Sequence, residues 1–191
     1  TPVDGSFDAG AHVLLPGFIN THQHFWQNLT RAHPRGINRA LGAWIDGLYP
    51  VWQHVDADMH AAAAELAMTE LMLSGCTTVA DHHYLFPPAL REAVDAEFGI
   101  AERLGLRLVV ARGGMDLGEA EGKSTPAAMV ERDEDILSEM ERVIGAFHQT
   151  HHGATRQVAL APTAAAIVSD GLMRGAAALA ERHDCRLHTH L

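Results

Sequence analysis

Apolar positions along this chain follow two alternating rhythms. Short runs rich in β-branched and aliphatic residues, or alternating between apolar and polar, predict strands over residues 18–24, 76–82, 107–113, 156–162 and 186–191. Between them the apolar spacing changes to that of helices. Residues 56–74 start at a possible Asp56 cap and stop at Gly75, with Met59, Ala63, Leu66, Ala67 and Leu71 on one face. A second helix is expected over about 88–104, ending at Gly105. A third, about 126–149, repeats Ile136, Met140, Val143, Ile144 and Phe147. A fourth, about 170–183, groups Leu172, Ala176, Leu179 and Ala180. An extra helix around Trp44, Ile45 and Leu48 falls in the long connection after the first strand, and Ala11–Leu15 reads as strand-like.

Repeated strand-then-helix units imply an α/β fold with a parallel sheet and right-handed crossovers. Such a sheet either closes into an eight-stranded barrel or stays open. Five strands cannot close a (β/α)8 TIM-type barrel, so the chain is expected to be the first five strands of a longer protein.

Chemistry concentrates at two strand ends. Residues two apart on a strand leave from the same face, so His22 and His24 converge on one point, as two ligands of a metal do. Two polar residues sharing a face of a short strand is the plainer alternative. The run Arg186–Leu191 repeats the pattern with His188 and His190. Both pairs fall at carboxyl ends of predicted strands, the face on which barrel active sites sit.

Three runs carry a resemblance: Leu15-Pro16-Gly17-Phe18-Ile19-Asn20-Thr21-His22-Gln23-His24, Ser74-Gly75-Cys76-Thr77-Thr78-Val79-Ala80-Asp81-His82-His83-Tyr84-Leu85-Phe86-Pro87, and His188-Thr189-His190-Leu191. Together they resemble the deaminase branch of the amidohydrolase superfamily, which includes guanine and 8-oxoguanine deaminases and triazine hydrolases. The run Asp81–Pro87 is most similar to the 8-oxoguanine type. The resemblance implies a divalent metal on His22, His24 and His190, zinc by preference and iron as the alternative. It implies an aspartate from an eighth strand, a glutamate two residues past Leu191 and a histidine on a sixth strand as the acid–base groups. These lie outside this sequence, so no catalytic acid or base is assigned and the 191-residue chain alone is expected to be inactive. Binuclear relatives bridge two metals with a carboxylated lysine after the fourth strand. Here the only lysine is Lys123, and Leu160-Ala161-Pro162-Thr163 offers no amine, so one metal is expected. Residues 1–15 are read as a remnant of an N-terminal β-domain, and 16–191 as a partial amidohydrolase barrel.

The implied reaction is hydrolytic loss of ammonia from 8-oxoguanine or a related amino-purine or amino-heterocycle. Alternatives are a triazine-type hydrolase removing an alkylamine or halide, and a metal-binding fragment without turnover. Gln27, three residues past His24, matches a family glutamine whose amide reads a purine edge, or is an ordinary loop residue. Arg112 ends the third strand and either binds a substrate carbonyl or makes a structural ion pair. One of His82 and His83 must face inward; His82 is the candidate substrate contact, against a structural hydrogen bond. Trp26 and Trp44 wall the pocket or belong to the core. His188 is read as packing or supporting, not ligating. The segment Pro162–Ile167 departs from both the guanine and the 8-oxoguanine deaminase patterns, which leaves the substrate open.

Composition narrows the partners. The chain is 47% hydrophobic with a formal charge of −10 and no basic block, which argues against nucleic acid. No apolar run reaches the roughly 20 residues of a membrane span, and no signal peptide is evident, so a cytoplasmic protein is expected. Cys76 and Cys185 open predicted strands away from the histidines and are read as reduced thiols. Of the fourteen histidines, His148, His151, His152 and His183 are assigned to helix ends, where they favour the dipole. His12, His33, His54 and His60 are given surface or capping roles. A homo-oligomer is the family expectation for the full-length protein.

Overall fold

The computed structural model describes residues 5–191. Five strands form one parallel sheet in the order β1-β2-β3-β4-β5: Phe18–Gln23, Cys76–His83, Arg107–Gly114, Arg156–Pro162 and Arg186–Leu187. Every strand pairs with the next in sequence. A doubly wound sheet reverses its strand order to place helices on both faces. This one never reverses, so right-handed crossovers set the helices on one side and leave the other facing inward. The sheet is curled and open, an arc of a (β/α)8 barrel about five strands wide.

The helices are α1 (Leu41–Trp52), α2 (Ala57–Leu73), α3 (Ala93–Leu104), α4 (Asp133–Phe147) and α5 (Asp170–His183). The Asp56 carboxylate caps α2 by accepting from Met59 N–H at 2.8 Å, and Ser169 caps α5 through Leu172 N–H. Gly105 ends α3 in the left-handed region at φ 74°. Leu108, Val110, Val158 and Leu160 of the strands pack against Ile136, Met140 and Val143 of α4 and Leu172 and Ala176 of α5, all buried. The inward face carries small residues instead, with Ala111, Ala159 and Ala161 clustered beside Val109. That leaves room above them for the histidines.

Several expectations change. The buried face of α2 is His60, Ala63, Ala64, Ala67 and Met68, while Met59 and Leu66 are about half exposed. Alanines let α2 approach α3 and the turn after β1 closely, so the small side chains rather than the large ones mark the core face. Residues 88–92 and 127–132 precede α3 and α4 as short 3-10 turns and extended chain, which shortens both expected helices. α4 stops at Phe147, so His151 and His152 lie in the following turn and not at a helix end, and His148 caps the helix with its Nδ1 accepting Val158 N–H at 3.0 Å. β5 pairs regularly only through Leu187. Beyond it, His188 N–H reaches Leu160 O and His190 N–H reaches Thr163 O, so two residues of one chain span three of the other. Ala11–Leu15 forms no strand, and Val13, Leu14 and Leu15 are exposed; of the segment 1–15, residues 1–4 lie outside the described residues. Among the described residues no helix is long and apolar enough to cross a membrane.

β2 and β3 approach most closely at Gly113. A Cβ there would sit 2.5 Å from Tyr84 Cβ and 2.8 Å from the His83 carbonyl oxygen. Gly113→Ala is therefore expected to cost about 1–3 kcal/mol, because the obstruction is largely backbone. A lowered urea midpoint at constant slope checks this; an unchanged midpoint would contradict it.

Candidate metal centre

The site is assembled at the carboxyl ends of β1, β2 and β5. Asn20 Oδ1 accepts His22 N–H at 3.1 Å, and the chain leaves β1 through an extended His24 into a 3-10 turn, Phe25–Thr30. Phe25 and Trp26 are fully buried and anchor that turn in the core. His190 arrives from the other edge, its backbone N–H on the Thr163 carbonyl at 3.1 Å.

Each ring is then aimed by the strand beside it. His24 Nδ1 lies 2.6 Å from the His82 carbonyl oxygen, and His190 Nδ1 lies 2.8 Å from that of Thr163. A carbonyl only accepts, so both rings carry their proton on Nδ1 and present a bare Nε2. His22 Nδ1 is hydrogen-bonded with His188 Nε2 at 2.9 Å. The three Nε2 atoms meet: His22 to His24 at 3.2 Å and His22 to His190 at 3.3 Å. Zinc–nitrogen bonds of 2.0–2.1 Å put tetrahedral ligands about 3.3–3.4 Å apart, which is this spacing. Without a cation, three lone pairs at that separation repel.

Electrostatics keeps His22 and His24 neutral. Burial, and then the neighbouring rings His22 and His190, push His24 down to about 3, although its bond to the His82 carbonyl works the other way. Burial and then His190 and His188 lower His22 as well. Unprotonated imidazole is the ligating form, so the centre is ready for a metal at neutral pH.

The other candidates divide by strand parity. His82 faces inward, its ring 4.3 Å from that of His190; burial and then His190 drive it down to about 2. Both of its ring nitrogens are buried without a hydrogen-bond partner among the described residues. Tyr84 stands edge-on to His24 at 5.2 Å, and burial pushes its hydroxyl up while a hydrogen bond with Gln27 opposes the shift. Arg112 points the other way, into the helix layer. It is buried, 2.7 Å from Glu131, with its guanidinium 4.1 Å above the Phe86 ring. Trp26 lies in the core, 5.1 Å from the His24 ring, and Trp44 packs on Trp52 at 5.1 Å, away from the histidines.

Residues 13–191 match the sequence profile of the amidohydrolase family. The chain belongs to that family. This amidohydrolase is 48% identical over 190 residues to the 8-oxoguanine deaminase of Pseudomonas aeruginosa, covering 100% of this chain and 42% of that protein. It is 37% identical over 185 residues to the hydroxydechloroatrazine ethylaminohydrolase of Pseudomonas sp. (strain ADP), covering 94% and 38%. The structure of atrazine chlorohydrolase from Arthrobacter aurescens TC1 in complex with zinc superposes with a TM-score of 0.87 at 30% identity, over 93% of this chain and 41% of that one. The chain thus spans about two fifths of the relatives it matches.

Within the amidohydrolase, two clusters among the described residues bring three donor atoms within 4.8 Å of one another: His22, His24 and His190, and a fully buried His60, His83 and Glu97. The first fits a single divalent metal. Its donors are imidazole nitrogens, His24 and His190 stand from His22 at the spacing of zinc ligands, each ring is held by its far nitrogen, and His22 is open at the mouth. Nitrogen donors suit zinc and admit iron.

Sequence reasoning placed His60 at the surface and passed over Glu97. Both are buried, and their pairing across two helices leaves no local sequence signal. Tyr84 was visible only as part of the run Asp81–Pro87.

His24→Ala is expected to abolish tight metal binding by the complete protein, measured by elemental analysis after gel filtration. His188→Ala, which removes only the hydrogen-bond partner of His22, should weaken binding by about 10–100-fold instead. Full metal content in His24→Ala would remove this centre from consideration.

Proposed function

We propose that the complete protein is a metal-dependent aminohydrolase that removes ammonia from 8-oxoguanine or a closely related amino-heterocycle. The observation that carries this reading is the convergence of three imidazoles on one point at the open face of the sheet. The name and 48% identity of the Pseudomonas aeruginosa relative support the purine end of the range. When bound, a divalent metal supplies Lewis acidity and activates water toward the amino-bearing carbon. The balance is water in and ammonia out, with the ring carbon passing from C–NH2 to C=O.

The chain's own residues bind and orient. Tyr84 stands beside His24 and interacts with Gln27, and to this amide we assign the reading of a heterocycle edge. His82 forms the inner wall, its buried ring 4.3 Å from that of His190. Phe25, Trp26 and the alanines below exclude water from the floor. Arg112 takes no part in this arrangement, since its guanidinium is committed to Glu131 behind the sheet. We place the protein in the cytoplasm, where the free thiols of Cys76 and Cys185 are stable. A homo-oligomer for the complete protein rests on family likeness.

A second reading, removal of an alkylamine or halide from a triazine, is favoured by the relative from Pseudomonas sp. and the Arthrobacter structure. The complete gene product, assayed with 8-oxoguanine, guanine and amino- or chloro-substituted hydroxytriazines, distinguishes them by product. Ammonia from 8-oxoguanine is expected. Release of alkylamine or chloride alone would transfer the protein to the triazine class, and no release from any of them would end the aminohydrolase reading. Gln27→Ala should lower kcat/KM for the purine by about 10-fold or more, the usual effect of losing a hydrogen bond to a buried polar edge.

A further inference from the structure

The helix-facing side of β2 holds a second polar cluster. Parity puts Asp81 and His83 there, between His60 of α2 and Glu97 of α3, and all four are at most 1% exposed. Glu97 Oε1 lies 2.9 Å from His83 Nδ1 and 3.2 Å from His60 Nε2. Asp81 Oδ2 lies 3.9 Å from the same His83 nitrogen. A packing role alone is poorly served by such a set, because apolar side chains of similar volume fill space without desolvating charge.

Its outward contacts show what it does. Asp81 Oδ1 accepts the N–H of Phe25 at 2.7 Å, the peptide that directly follows His24. His83 Nε2 donates to the Leu85 carbonyl at 2.9 Å, which directly follows Tyr84. The carbonyl that receives His24 Nδ1 belongs to His82, in the peptide joining it to His83. Two backbone groups next to site residues are therefore held from behind by one buried cluster, and a third, the His82 carbonyl, lies in the peptide leading into it. We propose that Glu97 is a positioning residue: through His83, with Asp81 beside it, it fixes the backbone that aims His24 and Tyr84 into the metal centre.

Charge placement agrees. Burial opposes ionisation of Glu97, but His83 and His60 beside it outweigh that and hold its carboxyl down to about 2. Asp81 is pushed well above the usual carboxylate range by burial and by Glu97. Of the two carboxyl groups Glu97 is thus the one that favours ionisation, and it lies between the rings of His83 and His60. The same donors lie close enough to ligate a second metal. Positioning is favoured because the cluster is closed to solvent and its contacts lead to the backbone beside His24 and Tyr84.

The inference rests on His22, His24 and His190 being the metal centre, so the complete protein is tested with His24→Ala as a reference. Metal affinity by chelator competition, the visible spectrum of the cobalt-substituted form, kcat and KM are compared for Glu97→Gln, Asp81→Ala and Asp81→Asn. Glu97→Gln should weaken metal binding by about 10–100-fold, shift the cobalt bands and lower kcat, with circular dichroism unchanged. Asp81→Ala should lose affinity that Asp81→Asn, which keeps an acceptor for Phe25 N–H, largely recovers. A folded Glu97→Gln with unaltered affinity, spectrum and kcat overturns the proposal. If Glu97→Gln does not fold, equal affinities for the two Asp81 variants overturn it. A second bound metal that disappears only in Glu97→Gln also overturns it, in favour of ligation. Loss of metal in His24→Ala beside an unaffected Glu97→Gln defeats this inference alone; retention of metal in His24→Ala defeats the metal centre itself.

Discussion

The Nε2 atoms of His24 and His190 are held 3.2 and 3.3 Å from that of His22, and the rest of the structure is arranged to keep the three lone pairs together. Left alone, the rings would rotate away or one would take a proton. Neither relief is open. The carbonyls of His82 and Thr163 hold the Nδ1 protons of His24 and His190, which sets both tautomer and ring direction. Burial and the neighbouring rings make a second proton costly. A cation is the remaining way to remove the repulsion, which is how a fold stores metal affinity in advance of the metal.

That demand explains the architecture around the site. His24 and His190 are aimed by carbonyls of the neighbouring chain and His22 by the His188 ring, so the ladder β1–β2 and the contact of the His190 segment with the end of β4 are parts of the centre as well as of the sheet. Strand parity then separates two kinds of work. His82 faces the site while His83 faces the helices; Ala111 lines the interior while Arg112, its neighbour, reaches Glu131 behind. The alanines of the inner face are too small to fill it, and the histidines stand in the space they leave.

Periodicity made most of this legible. β4 and α5 match the expected residues 156–162 and 170–183, because their apolar spacing is regular and their ends carry clear stops. His22 and His24 were readable for the same reason: two side chains on one strand face need no knowledge of the rest of the fold. The misreadings share a cause. In α2 the large residues Met59 and Leu66 suggested one face, while close approach to α3 selected the alanines. His60 lies on that alanine face and meets Glu97, thirty-seven positions away, so nothing within the helix announces the pair. His151 and His152 depended on α4 running two residues further than it does. Each error concerns a contact between elements, which local patterning does not record.

The two clusters contain similar donors, and what separates them is their surroundings. His22 is exposed at the mouth, and the groups completing its environment sit on one side, so water and a planar ring have an approach. His60, His83 and Glu97 are closed in by α2, α3 and β2, and His83 turns its remaining nitrogen to the Leu85 carbonyl. An open set exchanges ligands and can turn over; a closed one transmits only position. Asp81 and His83 lie between the two, in the strand that carries His82 on its other face. A disturbance of the buried charge therefore has a short mechanical route to the metal ligands, through the peptide groups of Phe25 and His82, and no chemical route at all.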